Sequence, residues 1–347
     1  MAVSIDDSYG KRVDSKTKIA SSKAIKSIKI KGNDIIVIYK NKKKQNFTIK
    51  GLCYSRGDHG QSYYKYYKYD IKKLKAINAN TIRTYRPLAA YKKNGQIDYK
   101  KTKKMLDAFA KNGIYVVVGF DSVRDITGGY NDGQYFKAGV YKTYIKKFAK
   151  HPAILMWAFG NEYNYHYNEW FKNKAQWMKI LSTAAKKAKK LSPTKLVATV
   201  HGEVPSSSEL KEYKTKKVDL VMVNIYRGAS FGNLFTNWAE ITAKSKMPLV
   251  ISEFGRSSQS GSKKDTSLLQ SNTLKSLWNE IIKNKNITAG GFIFELNDES
   301  WKGQKELSSI IGSEAHLGIF KSKTNNYKKD AKLAAKTISK LWKGKLK

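Results

Sequence analysis

The sequence predicts an α/β fold, a (β/α)8 TIM barrel with a short N-terminal β addition. Three observations favour this architecture. Eight short apolar segments are each separated from the next by a segment with helical spacing of apolar residues. Several of these segments are uninterrupted apolar runs, which is typical of parallel strands buried on both faces. Polar side chains gather at their carboxyl ends, where the active sites of such barrels lie.

The first part of the chain differs from the rest. Residues 1–46 are polar and lysine-rich, and an alternating stretch at 35–39 predicts one strand there. We therefore expect an N-terminal extension over residues 1–46, with a short β element at the bottom or side of a barrel formed by residues 47–347. The barrel strands are predicted at 47–54, 81–85, 114–120, 154–160, 196–201, 218–226, 248–253 and 288–295.

Amphipathic segments between these strands predict the helices. They lie at 65–79, 101–111, 135–150, 169–191, 209–217, 234–244, 266–283 and 328–342, and the segment 209–217 has the weakest pattern. An open doubly wound sheet is the alternative, but its first strand normally leads into a GxGxxG phosphate loop. Here the first strand leads into SRGDHG at 55–60, so the closed barrel is favoured.

The net charge is extreme. The chain carries 67 Lys and Arg against 27 Asp and Glu, a formal charge of +40. Lysines spread through every predicted helix are typical of solvated helix faces, although such a charge still attracts polyanions. No apolar run reaches the roughly 18 residues that cross a bilayer, and the start lacks a signal-peptide pattern. We expect synthesis without export or removal of a leader, and the location stays open.

Cysteine, histidine and arginine usage narrows the chemistry. Cys53, the single cysteine, lies in a predicted strand and indicates a buried thiol rather than a nucleophile. The five histidines show no metal-ligand spacing, so no metal or cofactor is expected. Arginine is the planar fork-shaped donor, and its placement at strand ends favours a functional use. Six of the seven arginines lie there: Arg56, Arg83, Arg86, Arg124, Arg227 and Arg256.

Two strands close on a glutamate. Residues 154–162, ILMWAFGNE, end in Glu162, and residues 248–255, PLVISEFG, contain Glu253. In one barrel both carboxylates would lie at the same face. Cleavage of a glycosidic bond needs two such groups, one to protonate the departing oxygen and one to meet the charge on the sugar ring. A separation of about 5–5.5 Å would be that of a retaining enzyme.

These motifs resemble those of the clan of retaining glycoside hydrolases with (β/α)8 barrels. The similar segments are WAFGNE at 157–162, VISEFG at 250–255, NTIRTY at 80–85, NIY at 224–226 and GFIFELNDESW at 291–301. The catalytic barrels of glycoside hydrolase family 2 and the fungal β-1,3-glucanosyltransferases are the most similar. We expect neither the flanking β-sandwich domains of the former nor the disulfides of the latter in this sequence.

The resemblance implies roles for six residues. Glu162 would be the acid/base and Glu253 the nucleophile. Asn161 would bond the 2-hydroxyl of the sugar. Arg83 and Tyr226 would contact Glu253 and keep it ionised, because a positive charge and a donated hydrogen bond both favour the anion. Trp301 would form an aromatic floor for the sugar.

Further polar and aromatic residues are predicted at the same face. They are candidates for subsites, with ordinary solvated loop residues as the alternative. The stretch 163–167 directly follows Glu162 and is the better candidate for sugar contacts, with Tyr163 first in it. The other candidates are Asp58, His59, Asp121, His166, His201 and Glu203.

The function that these patterns favour is a retaining β-glycosidase or transglycosidase acting on an oligosaccharide or polysaccharide. The charge predicts an anionic polysaccharide substrate, and it opposes protonation of Glu162. The alternative is a non-catalytic protein that binds polyanions or carbohydrate. Specific nucleic-acid recognition is not expected, because aromatic and basic residues do not alternate along a strand. Sugar identity, linkage and oligomeric state stay open.

Overall fold

The computed structural model describes residues 19–56, 62–121, 139–260, 264–303, 305–322 and 326–346. Within them, eight parallel strands close into a barrel, each bonded to the next in chain order and the last to the first. The barrel strands are β4 (Ile49–Cys53), β5 (Thr81–Arg83), β6 (Tyr115–Phe120), β7 (Ile154–Phe159), β8 (Leu196–Gly202), β9 (Leu220–Asn224), β10 (Leu249–Phe254) and β13 (Thr288–Ile293). The predicted barrel is confirmed, and each predicted strand overlaps one of these, although β8 and β10 each run one residue past the predicted end.

The strands are buried because both of their faces are covered. Side chains of one face fill the barrel, and those of the other pack under the helices. Every residue of β6, β7 and β10 is buried. This is why their sequences are uninterrupted apolar runs rather than alternating ones.

A small antiparallel sheet precedes the barrel. It consists of β1 (Ile25–Lys31), β2 (Asp34–Tyr39) and β3 (Lys44–Asn46). The amide of Ile25 donates to the carbonyl of Pro152 and that of Ile28 to Thr194, both just ahead of a barrel strand. The sheet therefore covers the amino-terminal end of the barrel, opposite the face where the polar strand ends gather.

The helices alternate with the barrel strands. They are α1 (Tyr63–Ala76), α2 (Tyr99–Lys111), α3 (Val140–Phe148), α4 (Tyr167–Trp170), α5 (Lys174–Leu191), α6 (Ser207–Thr215), α7 (Leu234–Thr242), α8 (Ser267–Lys283), α9 (Tyr327–Asp330) and α10 (Leu333–Trp342). Two short hairpins follow the last strands, β11 (Gln259–Ser260) with β12 (Lys264–Asp265), and β14 (Glu306–Ser308) with β15 (Gly312–Ser313). None of the helices in the described ranges is long and apolar enough to span a bilayer.

Two predicted helices are each broken in two. The segment 169–191 is interrupted before Asn173, whose side chain accepts the amide of Gln176 and so begins α5 afresh. The segment 328–342 is interrupted at Lys332, whose buried ammonium contacts Asp298 at 2.6 Å. Local capping and one buried ion pair therefore override helical periodicity. Residues 135–138 of the third predicted helix lie outside the described ranges.

Candidate active site

The two glutamates lie at the carboxyl-terminal end of the barrel. Strand β7 ends at Phe159, and the chain turns through Gly160, which has φ +75° and lies against the Trp177 ring. Glu162 follows in the left-handed region at φ +56°. Glu253 lies near the end of β10, three strands further round the ring. The turn after β7 thus presents one carboxylate and β10 the other.

Three donors surround the Glu253 carboxylate. Oε1 accepts from Nη1 of Arg83 at 2.8 Å and from the Tyr85 hydroxyl at 2.7 Å. Oε2 accepts from the Tyr226 hydroxyl at 3.0 Å. Glu253 is 7% exposed and Arg83 2% exposed. A buried carboxylate needs such partners, because burying a charged group without them is costly.

Arg83 joins the two halves of the site. Its Nη1 contacts Glu253, and its Nη2 donates to Oδ1 of Asn161 at 2.5 Å. Only a rigid fork reaches two acceptors in this way. Nδ2 of Asn224 donates both to Oδ1 of Asn161 at 3.2 Å and to Oε1 of Glu162 at 2.9 Å. A continuous hydrogen-bonded chain therefore runs from one glutamate to the other.

Glu162 has the environment of an acid. Burial raises its pKa above the usual value, and the nearby negative charge of Glu253 raises it further. The bond from Asn224 and the charge of Arg83 act in the opposite direction. The protein's positive charge was expected to oppose protonation, but local burial outweighs it because desolvation acts at the carboxyl itself.

A third carboxyl lies close to this pair. Asp121 directly follows β6, and its amide donates to the carbonyl of Tyr85. Burial raises the pKa of Asp121 to about 7, against the charges of Arg83 and Arg86. Near neutral pH this group is therefore partly protonated.

Tyr163, His201 and Trp301 do not join the contacts around the glutamates. Tyr163 is 2% exposed, and its ring packs edge-on against Trp177. His201 is buried beside α6, where its ring packs on Tyr213. Trp301 lies in a 3₁₀ turn and is 51% exposed. Because side chains alternate along β8, His201 faces a helix. The turn after Glu162 places Tyr163 in the core.

The arginines at strand ends divide into two groups. In the described part of the chain, Arg83 is the one that contacts a glutamate of the pair. Arg56 pairs with Asp70 at 2.5 Å, and Arg227 with Glu203 at 2.5 Å. Arg256 donates to backbone carbonyls of the loop at 309–310. These contacts hold neighbouring segments in place. Arginines at strand ends therefore indicate the carboxyl-terminal face of the barrel, but they do not all contact the two glutamates. Arg124, Asp58 and His59 lie outside the described ranges.

Sequence reasoning missed three members of the cluster. Tyr85, Asn224 and Phe294 were visible only as residues at strand ends. Tyr85 is two residues after Arg83, and the period of two on a strand places both on one face. Phe294 follows β13, and its ring lies edge-on to Tyr85 at 6.1 Å. The same period of two was the available signal for Asn224, two residues before Tyr226.

The arrangement provides one carboxylate that accepts hydrogen bonds from three donors and one carboxyl with a raised pKa. Two carboxyl groups in such different environments can take different roles, one as base or nucleophile and the other as acid. Such a pair can protonate a leaving oxygen on one side and stabilise or attack a cationic carbon on the other.

Comparisons with known proteins identify the family of the chain. The family model described as "Glycosyl hydrolases family 2, TIM barrel domain" matches residues 59–278, more than half of the chain. A comparison with curated protein sequences finds no match.

Solved structures share the fold. A β-D-glucuronidase of Dictyoglomus thermophilum has 18% identity and a TM-score of 0.61, with 91% of this chain and 53% of that chain covered. A GH2 β-galacturonidase of Eisenbergiella tayi bound to galacturonate has 18% identity and a TM-score of 0.61, with 92% and 54% covered. A β-glucuronidase of Faecalibacterium prausnitzii has 19% identity and a TM-score of 0.61, with 92% and 51% covered. The chain spans about half the length of these structures. On its family match and its closed eight-stranded barrel, the chain belongs to glycosyl hydrolase family 2, through the TIM barrel domain.

Proposed function

We propose that the protein is a retaining β-glycosidase, with Glu253 as the nucleophile and Glu162 as the acid/base. The observation that carries the proposal is the asymmetry of the pair. Glu253 accepts hydrogen bonds from Arg83, Tyr85 and Tyr226, whereas burial raises the pKa of Glu162. The family match supports a glycosidic substrate.

The reaction proceeds in two steps. A carboxylate oxygen of Glu253 attacks the anomeric carbon while the Glu162 carboxyl gives its proton to the glycosidic oxygen, and the bond to the leaving group breaks. This forms a glycosyl ester on Glu253. Glu162, now ionised, takes a proton from water, and that water attacks the anomeric carbon and releases Glu253. The hydroxyl of an acceptor sugar in place of water gives transglycosylation.

The surrounding residues stabilise this sequence. Asn161 has its carbonyl oxygen bonded to Arg83 and Asn224, so its amide group is oriented by two fixed donors. That amide would donate to the 2-hydroxyl of the sugar. Phe294, half-buried beside Tyr85, would offer an apolar ring to the sugar, and the exposed Trp301 stays a candidate for its aromatic floor.

We infer that the sugar is anionic, such as a uronide. The +40 charge raises the local concentration of anions, and Arg86 lies near Asp121 at the end of β5. Two of the similar structures are β-glucuronidases, and a third is a β-galacturonidase bound to galacturonate. If the enzyme hydrolyses neutral but not uronide aryl glycosides, and salt does not affect the rate, the anionic sugar is contradicted. The assignment as a retaining β-glycosidase would not be affected by that result.

The decisive experiment compares wild type, E253Q and E162Q on a panel of activated aryl β-glycosides. E253Q should lose several orders of magnitude in turnover. E162Q should lose most for poor leaving groups and least for good ones, because a good leaving group needs no proton. NMR of the first product should show the β anomer. An α anomer, or wild-type rates in E253Q, would overturn the assignment. Salt-sensitive binding of polyanions with no turnover of any glycan would favour the non-catalytic alternative.

A further inference from the structure

The active site leaves most of the positive charge unexplained. A groove of about 490 Å³ lies beside helices α1 and α2. Its lining includes a run of lysines on α2 together with the rings of Tyr64 and Tyr67. The lysines among its described lining residues are Lys100, Lys101, Lys103, Lys104 and Lys111.

A second groove continues from the first. It has a volume of about 730 Å³ and lies between α2, the end of α3 and the segment that leads into β1. Lys103 and Asp107 line both grooves, so the two meet along α2. Its described lining adds three further lysines, Lys40, Lys147 and Lys150. The two grooves together are called the lysine furrow below.

The carboxylates in the lysine furrow are already engaged. Asp107 accepts from Lys103 at 2.8 Å and contacts Nε2 of His151 at 3.0 Å. Asp98 caps α2 by accepting the amide of Lys101 at 2.9 Å. These acids cannot balance the lysines that line the furrow, and a concave surface lined by one sign of charge focuses the field on a ligand.

A buried lysine, Lys195, directly precedes β8 at the amino-terminal end of the barrel. Lys195 is 2% exposed, and among the described residues its Nζ has no hydrogen-bond partner. Burial lowers the pKa of Lys195 to about 7, and the charge of Lys40 lowers it further. Burial lowers the pKa of His151, which lines the furrow, and the charge of Lys195 lowers it further. An anion bound nearby would favour the protonated form of Lys195.

The second groove lies away from the active site. Lys40 follows β2, and His151 precedes β7, so both lie at the amino-terminal end of the barrel. Glu162 and Glu253 lie at the carboxyl-terminal end. A polymer bound in the second groove leaves the active site open.

We propose that the lysine furrow binds an anionic polysaccharide and holds the enzyme on it. Neither groove has an arginine among its described lining residues, so the lysines act as point charges rather than as forks for one fixed geometry. Tyr64, whose ring has the Lys101 ammonium 5.8 Å away, offers a face for a sugar. A carbohydrate polymer is favoured over nucleic acid because the chain belongs to a glycoside hydrolase family. The binding itself does not depend on the assignment of the catalytic residues.

The test compares two quadruple variants with the same change in net charge. The furrow variant carries Lys40→Glu, Lys104→Glu, Lys147→Glu and Lys150→Glu. The control carries four exposed lysines from the helices and loops after β8, β9 and β10, Lys211→Glu, Lys244→Glu, Lys283→Glu and Lys285→Glu. Binding of polygalacturonate, heparin, dextran and duplex DNA is measured at low and moderate salt, with thermal melting as a check on folding.

The furrow variant should bind polygalacturonate and heparin about tenfold or more weakly, and the control less than about threefold, because close charges dominate once salt screens distant ones. Dextran should not bind, and small aryl glycosides should be hydrolysed equally by both variants. Equal losses in the two variants would show that only net charge matters and would overturn the proposal. Furrow-dependent binding of duplex DNA tighter than of either acidic polysaccharide would overturn the polysaccharide assignment.

Discussion

Tyr85 donates its hydroxyl to Oε1 of Glu253 over 2.7 Å, the same oxygen that Arg83 contacts at 2.8 Å. Oε2 of Glu253 accepts from Tyr226 at 3.0 Å. The two carboxylate oxygens are therefore unequally supported. Without the Tyr85 hydroxyl, Oε1 is still bonded to the guanidinium of Arg83. Without the Tyr226 hydroxyl, Oε2 loses the hydrogen bond described for it.

The two tyrosines should differ in importance. A hydrogen bond to a charged group contributes about 1.5–3 kcal/mol. We expect Y226F to lower kcat by about 10- to 100-fold, and Y85F by less than about tenfold, because Arg83 remains. Steady-state kinetics on an aryl glycoside measure both. A Y85F variant as impaired as Y226F would show that Arg83 does not support Oε1 alone.

Arg83 should not tolerate lysine. A single ammonium cannot bond Glu253 and Asn161 together, so R83K should lose about 100-fold or more in kcat/KM. R256K is the matched control, since Arg256 contacts only loop carbonyls in the described structure and should stay within about threefold of wild type. Near-normal activity of R83K would remove Arg83 from the catalytic network.

Asn224 should set the alkaline limit of activity. Its bond to Oε1 of Glu162 favours the ionised carboxylate and so lowers a pKa that burial raises. Replacing Asn224 with Ala removes that donor, so the pKa of Glu162 should rise further. The alkaline limb of the kcat/KM profile should move to higher pH, although activity falls overall. An unchanged limb, or one at lower pH, would argue against Glu162 as the acid.

Phe294 should matter more than Trp301 for small substrates. The Phe294 ring lies beside Tyr85, with the Lys302 ammonium 5.0 Å from its centroid, whereas Trp301 is 51% exposed. We expect F294A to lower kcat/KM by about tenfold and W301A by less than about threefold, measured on aryl glycosides. A larger loss of kcat/KM in W301A than in F294A would support Trp301 as the aromatic floor.

Asp121 should make stability depend on pH. Its folded pKa of about 7 lies above the usual value, so between about pH 4 and 7 the folded state holds a proton that the unfolded state has lost. Stability should therefore fall as pH rises through this window. D121N should raise Tm at pH 8 relative to wild type and change it little at pH 4. A uniform shift at both pH values would contradict the linkage.

The sequence was sufficient for the barrel because buried parallel strands leave a continuous apolar signal. Glu162 and Glu253 were found for the same reason, since each ends such a run. Arg83, Asn161 and Tyr226 could be named through resemblance, and the contacts among them required coordinates. Their roles stay predictions until the variants are made.

Other parts of the site could not be predicted from sequence. Tyr163 and Tyr165 lie two residues apart in one turn, yet the first is buried and the second is 59% exposed. That difference depends on the left-handed conformation of Glu162, which no local pattern reveals. The raised pKa of Glu162 likewise depends on burial and on the position of Glu253, which only the closed barrel fixes.

The most direct test is to trap the glycosyl ester. A 2-deoxy-2-fluoro glycoside of the preferred sugar with a good leaving group forms the ester quickly and releases it slowly. After proteolysis, mass spectrometry locates the attached sugar. The account predicts one sugar per chain on Glu253, and none in E253Q. A label on any other residue, or first products of inverted configuration, would contradict it.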